Sequence, residues 1–380
     1  MTRPSVSPRA TRRVLRIYHS GVVAAWRERD VALAAEGIEV TLVSPSSWNE
    51  GGREVDLVPG PDEDVIEAHT WGRHPYRFVF DPRPLWSVLR HGGHDVIDIH
   101  EEPASLATAE VLALEWLTRR GPRRRPRPVC LYSAQNIRKR YPVPFRWFER
   151  LALRRAAAVH TCNDAAGEIL QDKGFRGIVE NLGLGVGADS FTGDGPGAHE
   201  GRFRLGYVGR LETYKGVDVL VDAVATLASV DLDIIGDGPE RAALEARITA
   251  LGVADRVSLN GFRPADELGP VYARFDALAV PSLDTPGWIE QFGRVAAEAM
   301  AAGVPVIASR SGSLTEVVGD AGLLVPPGDP AAIAAAIVTL AADIDERVRL
   351  GCRARVRAER WSWPAIGRRQ AELYRRVAER

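Results

Sequence analysis

Two acidic residues, Glu290 and Glu298, lie eight positions apart in the segment WIEQFGRVAAEAMAAG, residues 288–303. From Arg294 onward the small side chains predict a helix, because the run contains one β-branched residue and no helix breaker. Apolar or very small side chains surround Glu298 on nearly every face, so its carboxylate needs an ion-pair partner or a hydrogen-bonding ligand. Glu290 comes just before the helix starts, where backbone N–H groups and the helix dipole favour a phosphate or an electron-rich sugar oxygen.

A hydrolytic carboxylate pair is the first alternative for these two residues. Eight helical residues rise about 12 Å, whereas the paired carboxylates of glycosidases are roughly 5–9.5 Å apart. We therefore expect Glu290 and Glu298 to contact different parts of one ligand. Two unrelated surface glutamates are the other alternative, which explains Glu290 more easily than Glu298.

A second group of candidate residues lies in GYVGRLETYKG (206–216), between a predicted strand and a predicted helix. In open α/β sheets, ligands bind beyond the carboxyl ends of the strands. There Arg210 can bind two phosphate oxygens and Lys215 can supply a point charge, while Gly216 and the helix start add backbone donors. The segment predicts a diphosphate-binding site, with ordinary surface charges on a solvated turn as the alternative. Lys215 is one of only three lysines in the chain, which favours the first interpretation.

Length and composition limit the class of protein. The chain has 380 residues, 45% of them hydrophobic, and a formal net charge of −1, which predicts two domains and gives no reason to expect nucleic acid as a partner. Three scattered cysteines, Cys130, Cys162 and Cys352, match neither a disulfide framework nor a zinc-ligand pattern and suit a reducing cytoplasm. The apolar stretch after the Arg- and Ser-rich start is too short and too polar for a membrane span. We interpret this start as a frayed tail, with a transit peptide as the alternative.

Strand and helix patterns alternate through both halves of the chain. Strands are predicted at 14–19, 40–44, 96–100, 129–134 and 158–161, and then at 203–209, 231–236, 257–261, 277–282 and 304–309. This alternation is typical of parallel sheets with crossover helices, and the glycines between 183 and 201 indicate a linker. We therefore predict an α/β fold with two doubly wound, Rossmann-like domains, 1–187 and 188–360, and a final helix, 361–380, that crosses back to the first domain.

Four segments occur in the order and spacing of family 4 of the retaining nucleotide-sugar glycosyltransferases. They are GYVGRLETYKG (206–216), IIGDGPE (234–240), PSLDTPG (281–287) and WIEQFGRVAAEAMAAG (288–303). The chain resembles this family over essentially its whole length, and most strongly over 203–330. The resemblance implies the GT-B fold, in which two Rossmann-like domains face a cleft. It also implies transfer of a hexose-type sugar from a UDP- or GDP-sugar to an acceptor hydroxyl, with formation of an α-glycosidic bond.

The same resemblance implies roles for individual residues. Arg210 and Lys215 would hold the donor diphosphate, Glu298 the ribose hydroxyls and Glu290 the transferred sugar. The donor-binding set that it implies is Gly21, Gly209, Arg210, Lys215, Arg263, Glu290, Gln291, Phe292, Gly293 and Glu298. The catalytic set is His100, Glu290, Arg210 and Lys215.

The strand-end motif HEEPASL (100–106) resembles the family's active-site histidine motif, which would place His100 beside the sugar. A polar strand tip is one alternative, and a metal site formed by His91, His94 and His100 is another. The first loop, HSGVVAAWRERD (19–30), departs from the family, because it replaces the usual pair of adjacent glycines near Gly21. That departure weakens inference about the acceptor.

The mechanism implied by the resemblance is metal-independent and retains the anomeric configuration. Cationic side chains and a helix N-terminus can stabilise a departing nucleotide diphosphate in place of a divalent metal. No D-x-D pair occurs at a predicted strand end, because Asp231 and Asp233 begin a strand. We therefore expect no metal and no cofactor apart from the nucleotide sugar, and His100 would orient the sugar instead of acting as a general base.

The acceptor would be a glycan, a lipid-linked molecule or a small molecule. In the segment 137–156, Phe145, Phe148 and Ala152 share one helical face, while Arg146, Arg150 and Arg154 form a basic stripe. General helix anatomy favours packing of the apolar face on the sheet, with the arginines in water. The alternative is that the helix lies on an anionic membrane, which would give a cytoplasmic protein peripheral contact with the inner face of the cell membrane.

Two alternative functions are a GT-B epimerase or phosphorylase and a non-catalytic GT-B partner protein.

Overall fold

The computed structural model describes residues 12–50, 52–119, 126–187, 191 and 201–379. The chain divides into two compact units: unit 1 comprises Met1–Gly185 and Trp363–Arg380, and unit 2 comprises Val186–Ser362. Each junction is two residues from the boundary predicted from the sequence. Most of the predicted linker, at 188–190 and 192–200, lies outside the described residues.

Unit 1 is built on a seven-stranded parallel sheet with the strand order β11-β10-β9-β8-β1-β2-β5. Two small antiparallel pairs, β3 with β4 and β6 with β7, lie between its second strand and its second helix in the chain. The strands are β1 (Arg12–Ile17), β2 (Ile38–Ser44), β3 (Ser47–Glu50), β4 (Arg53–Asp56), β5 (Asp64–Glu67), β6 (Thr70–Trp71), β7 (Val79–Phe80), β8 (Val96–Ile99), β9 (Val129–Ser133), β10 (Ala158–Thr161) and β11 (Ile178–Asn181). The sequence analysis did not predict β3 to β7, which are short and mostly half-exposed.

Five helices connect these strands: α1 (Ala24–Ala35), α2 (Pro82–His91), α3 (Leu106–Thr118), α4 (Phe145–Arg155) and α5 (Asp164–Asp172). Side chains fix where three of them begin, because a side-chain oxygen there accepts an otherwise unpaired backbone N–H. Asp81 caps α2, Ser105 caps α3 and Asn163 caps α5. These local signals explain where the three helices begin.

Unit 2 contains a six-stranded parallel sheet with the order β14-β13-β12-β15-β16-β17. Its strands are β12 (Phe203–Val208), β13 (Val230–Ile235), β14 (Val257–Leu259), β15 (Ala277–Val280), β16 (Val306–Ser309) and β17 (Gly322–Val325). Its helices are α6 (Val217–Ala225), α7 (Arg241–Ala250), α8 (Leu268–Tyr272), α9 (Arg294–Ala301), α10 (Leu314–Val318), α11 (Pro330–Ala342) and α12 (Ile344–Ala358). The predicted doubly wound α/β architecture is confirmed for both units.

The last helix, α13 (Trp363–Ala378), belongs to unit 1 and packs against α1. Its Tyr374 side chain joins a buried hydrogen-bond network with residues of β1 and β8. Tyr374 donates a hydrogen bond to Asp98 (2.7 Å) and accepts one from Arg16 (3.0 Å), and Arg16 also pairs with Asp98 at 3.1 Å. Burial alone would raise the pKa of Asp98, but His160 and Arg16 hold it far below its ordinary value.

Among the described helices, none is long and apolar enough to cross a membrane.

Replacement of Tyr374 by Phe removes the hydroxyl that joins α13 to this network. We expect a loss of about 1–3 kcal/mol in the free energy of unfolding, because Asp98 and Arg16 each lose a hydrogen bond in a buried site. Urea denaturation measures the effect, and Glu372→Gln on the exposed side of the same helix is the matched control. Equal stability of Tyr374→Phe and the wild type would show that the network contributes nothing through α13.

Candidate functional site

The strand order of unit 2 reverses between β12 and β15, which are neighbours in the sheet. From β12 the chain adds β13 and β14 on one side, and from β15 it adds β16 and β17 on the other. Crevices at the carboxyl ends of strands at such a switch point are the usual ligand sites of open α/β sheets. The loops that follow these two strands, 209–216 and 281–293, contain most of the residues selected from the sequence.

Lys215 and Glu290 meet at this switch point. The Lys215 ammonium donates to Glu290 Oε2 over 2.7 Å, and the Ser282 hydroxyl donates to the same oxygen over 2.8 Å. The ammonium also lies 4.5 Å from the centre of the Trp288 ring, a cation–π contact. Among the described residues Lys215 has no other hydrogen-bond acceptor, so two of its three N–H donors are available to a ligand.

Backbone contacts hold the loop after β12 against the loop after β13. Gly236 packs directly on Gly209, since a Cβ at Gly236 would lie 1.8 Å from the Gly209 carbonyl oxygen. A Cβ at Gly238 would similarly lie 2.3 Å from the oxygen of Leu211. The IIGDGPE segment therefore supplies glycines that allow close packing behind the candidate phosphate-binding loop.

Arg210 lies in this loop with its side chain 43% exposed, and its Nε donates to Glu212 over 2.5 Å. The hydroxyl of buried Tyr207 donates to the Arg210 backbone oxygen at 2.9 Å, which fixes the backbone below the guanidinium. An ion pair this exposed contributes about 0–1 kcal/mol. A more highly charged ligand can therefore replace Glu212 at little cost.

Glu298 is buried on α9, as the sequence analysis expected, and the structure supplies two protein partners for it. Tyr272 donates to its Oε2 over 2.8 Å, and Arg294 Nε lies 3.1 Å from its Oε1. Burial raises the pKa of Glu298, against the opposing effect of Arg294 and Tyr272. The two candidate glutamates thus have separate partners and different surroundings, whereas the sequence predicted only that they would contact different parts of one ligand.

The segment between the two glutamates turns into α9 at Gly293. Gly293 is the N-cap of α9, with a φ of 80° that L side chains rarely adopt. Phe292 is buried and packs edge-on against Trp361 with ring centres 5.7 Å apart, whereas Gln291 is exposed. The N-terminus of α9, a position that favours anions, therefore directly follows the loop after β15.

Arg263 lies in the loop after β14, on the same edge of the sheet. Its side chain is half-exposed and pairs with Glu267 at 3.2 Å. Gly261 N-terminal to it has a φ of 73°, and its carbonyl accepts from Gly236 at 2.8 Å. The loop is therefore tied to β13, while the Arg263 side chain extends from the exposed surface.

The two remaining predicted residues, His100 and Gly21, belong to unit 1. His100 follows β8 and is almost fully buried, stacked on Tyr132 with ring centres 4.1 Å apart. Burial, with His160 and Arg29 nearby, holds the pKa of His100 well below its ordinary value, so its ring is neutral near pH 7. Gly21 is buried in the turn after β1, where a Cβ would lie 2.9 Å from Ser44 Oγ.

The alternative metal site formed by His91, His94 and His100 is wrong. His91 bonds the Ser87 carbonyl at the end of α2, and His94 bonds Thr41 in β2. His100 instead lies near Asp98 and His160, and these three residues have potential ligand atoms within 4.8 Å of one another. Asp98 in that cluster is already hydrogen-bonded to His160, Arg16 and Tyr374, so its oxygens serve the buried network.

Sequence reasoning missed the residues that support the selected ones. Ser282 ends the predicted strand ALAVPS, and this position could have suggested a polar contact at the sheet edge. Tyr272 lies 26 residues from Glu298 and carries no sequence signal that would connect the two. His19 belongs to the first loop, which departs from the family, and no separate sequence signal indicated a role for its side chain.

Solved structures define the class of fold. The chain is similar to Anabaena HepE, solved in complex with UDP, with a TM-score of 0.70 and 20% identity over 96% of this chain and 99% of that one. Neighbours of this kind are GT-B glycosyltransferases, so the chain has the GT-B fold. At this identity the likeness establishes the fold alone.

Family models identify the chain more closely. The "Glycosyl transferase 4-like domain" matches residues 20–179, and "Glycosyl transferases group 1" matches residues 202–343. The two matches fall in unit 1 and unit 2 respectively and together cover most of the chain. The chain belongs to the group 1 glycosyltransferases, glycosyltransferase family 4, as the sequence motifs predicted.

Curated relatives match over a shorter length. The D-inositol 3-phosphate glycosyltransferase of Corynebacterium urealyticum is 39% identical over 184 residues, which are 45% of this chain and 42% of that protein. The 2-deoxystreptamine glucosyltransferase of Streptomyces kanamyceticus is 35% identical over 207 residues, 49% of this chain and 51% of that protein. The chain thus spans about half or less of the curated relatives it matches.

A double-mutant cycle tests the Lys215–Glu290 pair. We expect Lys215→Met to lower the free energy of unfolding by about 1–3 kcal/mol, because the buried Glu290 carboxylate loses its hydrogen bond with the Lys215 ammonium. Glu290→Gln in the same protein should restore part of that loss, which urea denaturation at neutral pH measures. Arg274→Met, at an exposed cation of unit 2, is the control. Additive effects of the two substitutions would contradict the coupling that the geometry predicts.

Proposed function

We propose that this protein is a retaining glycosyltransferase that transfers a hexose-type sugar from a UDP- or GDP-sugar to an acceptor hydroxyl, forming an α-glycosidic bond. The observation that carries the proposal is the Lys215–Glu290 pair at the switch point of unit 2. It combines a cation with free donors for a phosphate and a carboxylate for a sugar hydroxyl. Membership of the glycosyltransferase family supports the reaction class.

The chemical requirement is to stabilise negative charge as the nucleoside diphosphate leaves. In our proposal, the fork of Arg210 binds two oxygens of the diphosphate in place of Glu212, and Lys215 donates to the same group. The start of α9 supplies backbone N–H groups. Such preorganised donors act where charge develops, which is the main way enzymes lower barriers of this kind.

The other donor contacts are proposed from the resemblance to the glycosyltransferase family. Glu290 is assigned to hydroxyls of the transferred sugar, with Gln291, Phe292 and Gly293 presenting backbone groups to it. Glu298 is assigned to the ribose hydroxyls; the hydrogen bond from Tyr272 and the ion pair with Arg294 limit the cost of keeping its carboxylate ionised. Arg263 and the backbone of its loop are assigned to the base side of the nucleotide.

In the proposed step, the bond between the anomeric carbon and the phosphate oxygen breaks as the acceptor oxygen bonds to that carbon. The acceptor attacks on the face that the nucleotide leaves, and its proton passes to an oxygen of the departing phosphate. The configuration at the anomeric carbon is therefore retained. We propose that the step needs no divalent metal, because Arg210, Lys215 and the helix start neutralise the phosphate. His100, neutral and buried, orients the sugar.

Names of similar proteins support a choice of first substrates. HepE was solved with UDP, and in other crystals with UDP-glucose. The two curated relatives are named for D-inositol 3-phosphate and 2-deoxystreptamine, which are both ring polyols or aminopolyols. We propose a UDP-hexose as the donor to test first and a hydroxyl-rich small molecule as the acceptor.

Donor turnover in the absence of an acceptor tests the function directly. We expect UDP or GDP to raise the melting temperature, and the matching sugar nucleotide to be hydrolysed slowly, with equal rates in EDTA. Lys215→Ala should lower the rate at saturating donor by about 100-fold or more, because an electrostatic donor to the developing charge is lost. Arg274→Ala is the control. Mass spectrometry of the products reports the reaction.

Absence of any nucleotide effect at millimolar concentration would favour the non-catalytic partner protein. Unchanged turnover by Lys215→Ala would refute the diphosphate assignment. A rate abolished by EDTA and restored by Mg²⁺ would refute metal independence alone.

We also propose peripheral membrane contact through the segment 137–156. In the structure, Ala152 on α4 is buried, and Phe145 and Phe148 are half-buried against each other. The exposed side instead carries Trp147 and Leu151, 58% and 54% exposed, with Arg150 and Arg154 beside them. An aromatic and a leucine side chain flanked by arginines suit the interface of an anionic bilayer.

Vesicle flotation tests this contact. The wild type should float with vesicles containing phosphatidylglycerol and not with purely zwitterionic ones, and added salt should reduce the bound fraction. Trp147→Ser/Leu151→Ser should abolish flotation, since it removes the exposed apolar surface. Trp116→Ser is the matched control, because Trp116 on α3 is also exposed, at 67%. Binding that is unaffected by the double substitution would refute the proposal.

A further inference from the structure

Unit 1 also has a switch point, between β1 and β8. The chain adds β2 and β5 on one side of β1 and adds β8, β9, β10 and β11 on the other. The two strands end level with each other, since Ile17 pairs with Ile99 and the His100 N–H donates to the Ile17 carbonyl over 2.8 Å. Residues just after these strands therefore lie at the edge where open α/β sheets bind ligands.

His19 and Glu101 occupy that position. The Glu101 carboxylate lies 2.6 and 2.7 Å from His19 Nδ1 through its two oxygens, and one oxygen also accepts the His19 backbone N–H at 2.7 Å. These three contacts between His19 and Glu101 fix the imidazole ring and place its proton on Nδ1. This is the arrangement in which a carboxylate orients an imidazole so that its other nitrogen can face a substrate.

Aromatic side chains hold the ring from the other directions. Its centre lies 4.7 Å from that of Trp48 and 5.4 Å from that of Phe78, and both of those residues are buried. The His19 side chain itself is 17% exposed. Among the described residues, its Nε2 has no hydrogen-bond partner. A ring nitrogen oriented by a buried carboxylate and left without a partner at a sheet edge indicates a ligand-binding group.

The register of the two strands explains why His19 and His100 differ. Arg16 is level with Asp98, so Tyr18 comes level with His100, and His19 with Glu101. Side chains alternate between the faces of a strand. His100 therefore shares a face with the buried Arg16–Asp98 pair, whereas His19 falls on the alternate positions.

We propose that the His19–Glu101 pair binds a hydroxyl group of the acceptor, with His19 Nε2 accepting the hydrogen bond. This inference rests on the proposed function and adds the acceptor side to it. Above the raised pKa of His19, the neutral imidazole with its proton on Nδ1 offers a lone pair at Nε2, which fits an O–H donor and, unlike an imidazolium, fits neither a phosphate nor another acceptor-only group. The ligand class is therefore a polyol, such as a sugar or a cyclitol.

Binding of a hydroxyl in this way requires His19 to be neutral. Burial would lower the pKa of His19, but the Glu101 carboxylate, with Glu50 as a further charge, raises it above the ordinary value. The groups facing the ring are Glu101 after β8, Glu50 on β3, Tyr18 on its own segment, and the apolar Trp48 and Phe78. Acceptor binding should therefore weaken as the pH falls through the raised pKa of His19, while the imidazolium pairs more strongly with Glu101.

Kinetics of the full chain with separate donor and acceptor readouts test the inference. We expect His19→Ala to lower kcat/KM for the acceptor roughly tenfold, which corresponds to one positioned hydrogen bond, and to leave donor hydrolysis without acceptor unchanged. Glu101→Gln keeps an amide oxygen for the two N–H groups but removes the charge. It should therefore move the acidic limb of the acceptor pH profile to lower pH. His91→Ala, at an exposed histidine of α2, is the control.

A histidine NMR titration provides a readout that needs no turnover. Glycerol, glucose and myo-inositol serve as polyol probes, and at least one should shift the Cε1 proton signal of His19 and leave that of His91 in place. A His19 signal that responds to none of them, or an acceptor pH profile unchanged by Glu101→Gln, would overturn the inference while donor hydrolysis is intact. A wild type that hydrolyses no sugar nucleotide would instead overturn the proposed function, and with it the acceptor role.

Discussion

The reversal of strand order within each parallel sheet is the constraint on which both candidate sites depend. A parallel sheet brings all its carboxyl ends to one edge, and where neighbouring strands lead away in opposite directions, their loops leave room for a ligand. In unit 2 this places Lys215 2.7 Å from Glu290, although 75 residues separate them in the chain. In unit 1 it joins His19 to Glu101 across 82 residues. Neither pair is a local motif, and each exists because of topology.

Each cation at the edge of unit 2 pairs with a carboxylate, and these pairs differ in how readily a ligand can replace the acid. Arg210 is exposed and Glu212 is partly exposed, so the attraction between them is small. Glu290 is buried and is held by Ser282 as well as Lys215, so removal of its partner would leave a carboxylate with a large desolvation cost. In the proposed complex the first pair exchanges its acid for the diphosphate. The second pair keeps its acid, and Lys215 uses its remaining N–H donors.

Sequence reasoning predicted the parallel sheets and the loops that carry the donor candidates, because strand and helix periodicity and strand-end positions are local. It also predicted that Glu298 must have a partner, which burial alone requires. It could not identify that partner, since Tyr272 is brought close by the packing of α8 and α9. It likewise did not predict β3 to β7, whose short and half-exposed residues carry little periodicity. The direct contact between Lys215 and Glu290 needed side-chain directions that no pattern in the chain encodes.

His19 and His100 in unit 1 illustrate that last limit in physical terms. A motif identifies His100, but a motif does not say on which side of a strand a residue lies, and a shift of one residue exchanges the two faces. The register of β1 and β8 shows on which face of the sheet His100 lies. This is the face of Arg16, Asp98 and Tyr374, which form a buried hydrogen-bonded network. His100 therefore has a buried, neutral ring that is stacked on Tyr132. His19, one position out of phase, has no hydrogen-bond partner for its Nε2 within the described part of the chain, and in our proposal an acceptor hydroxyl binds there.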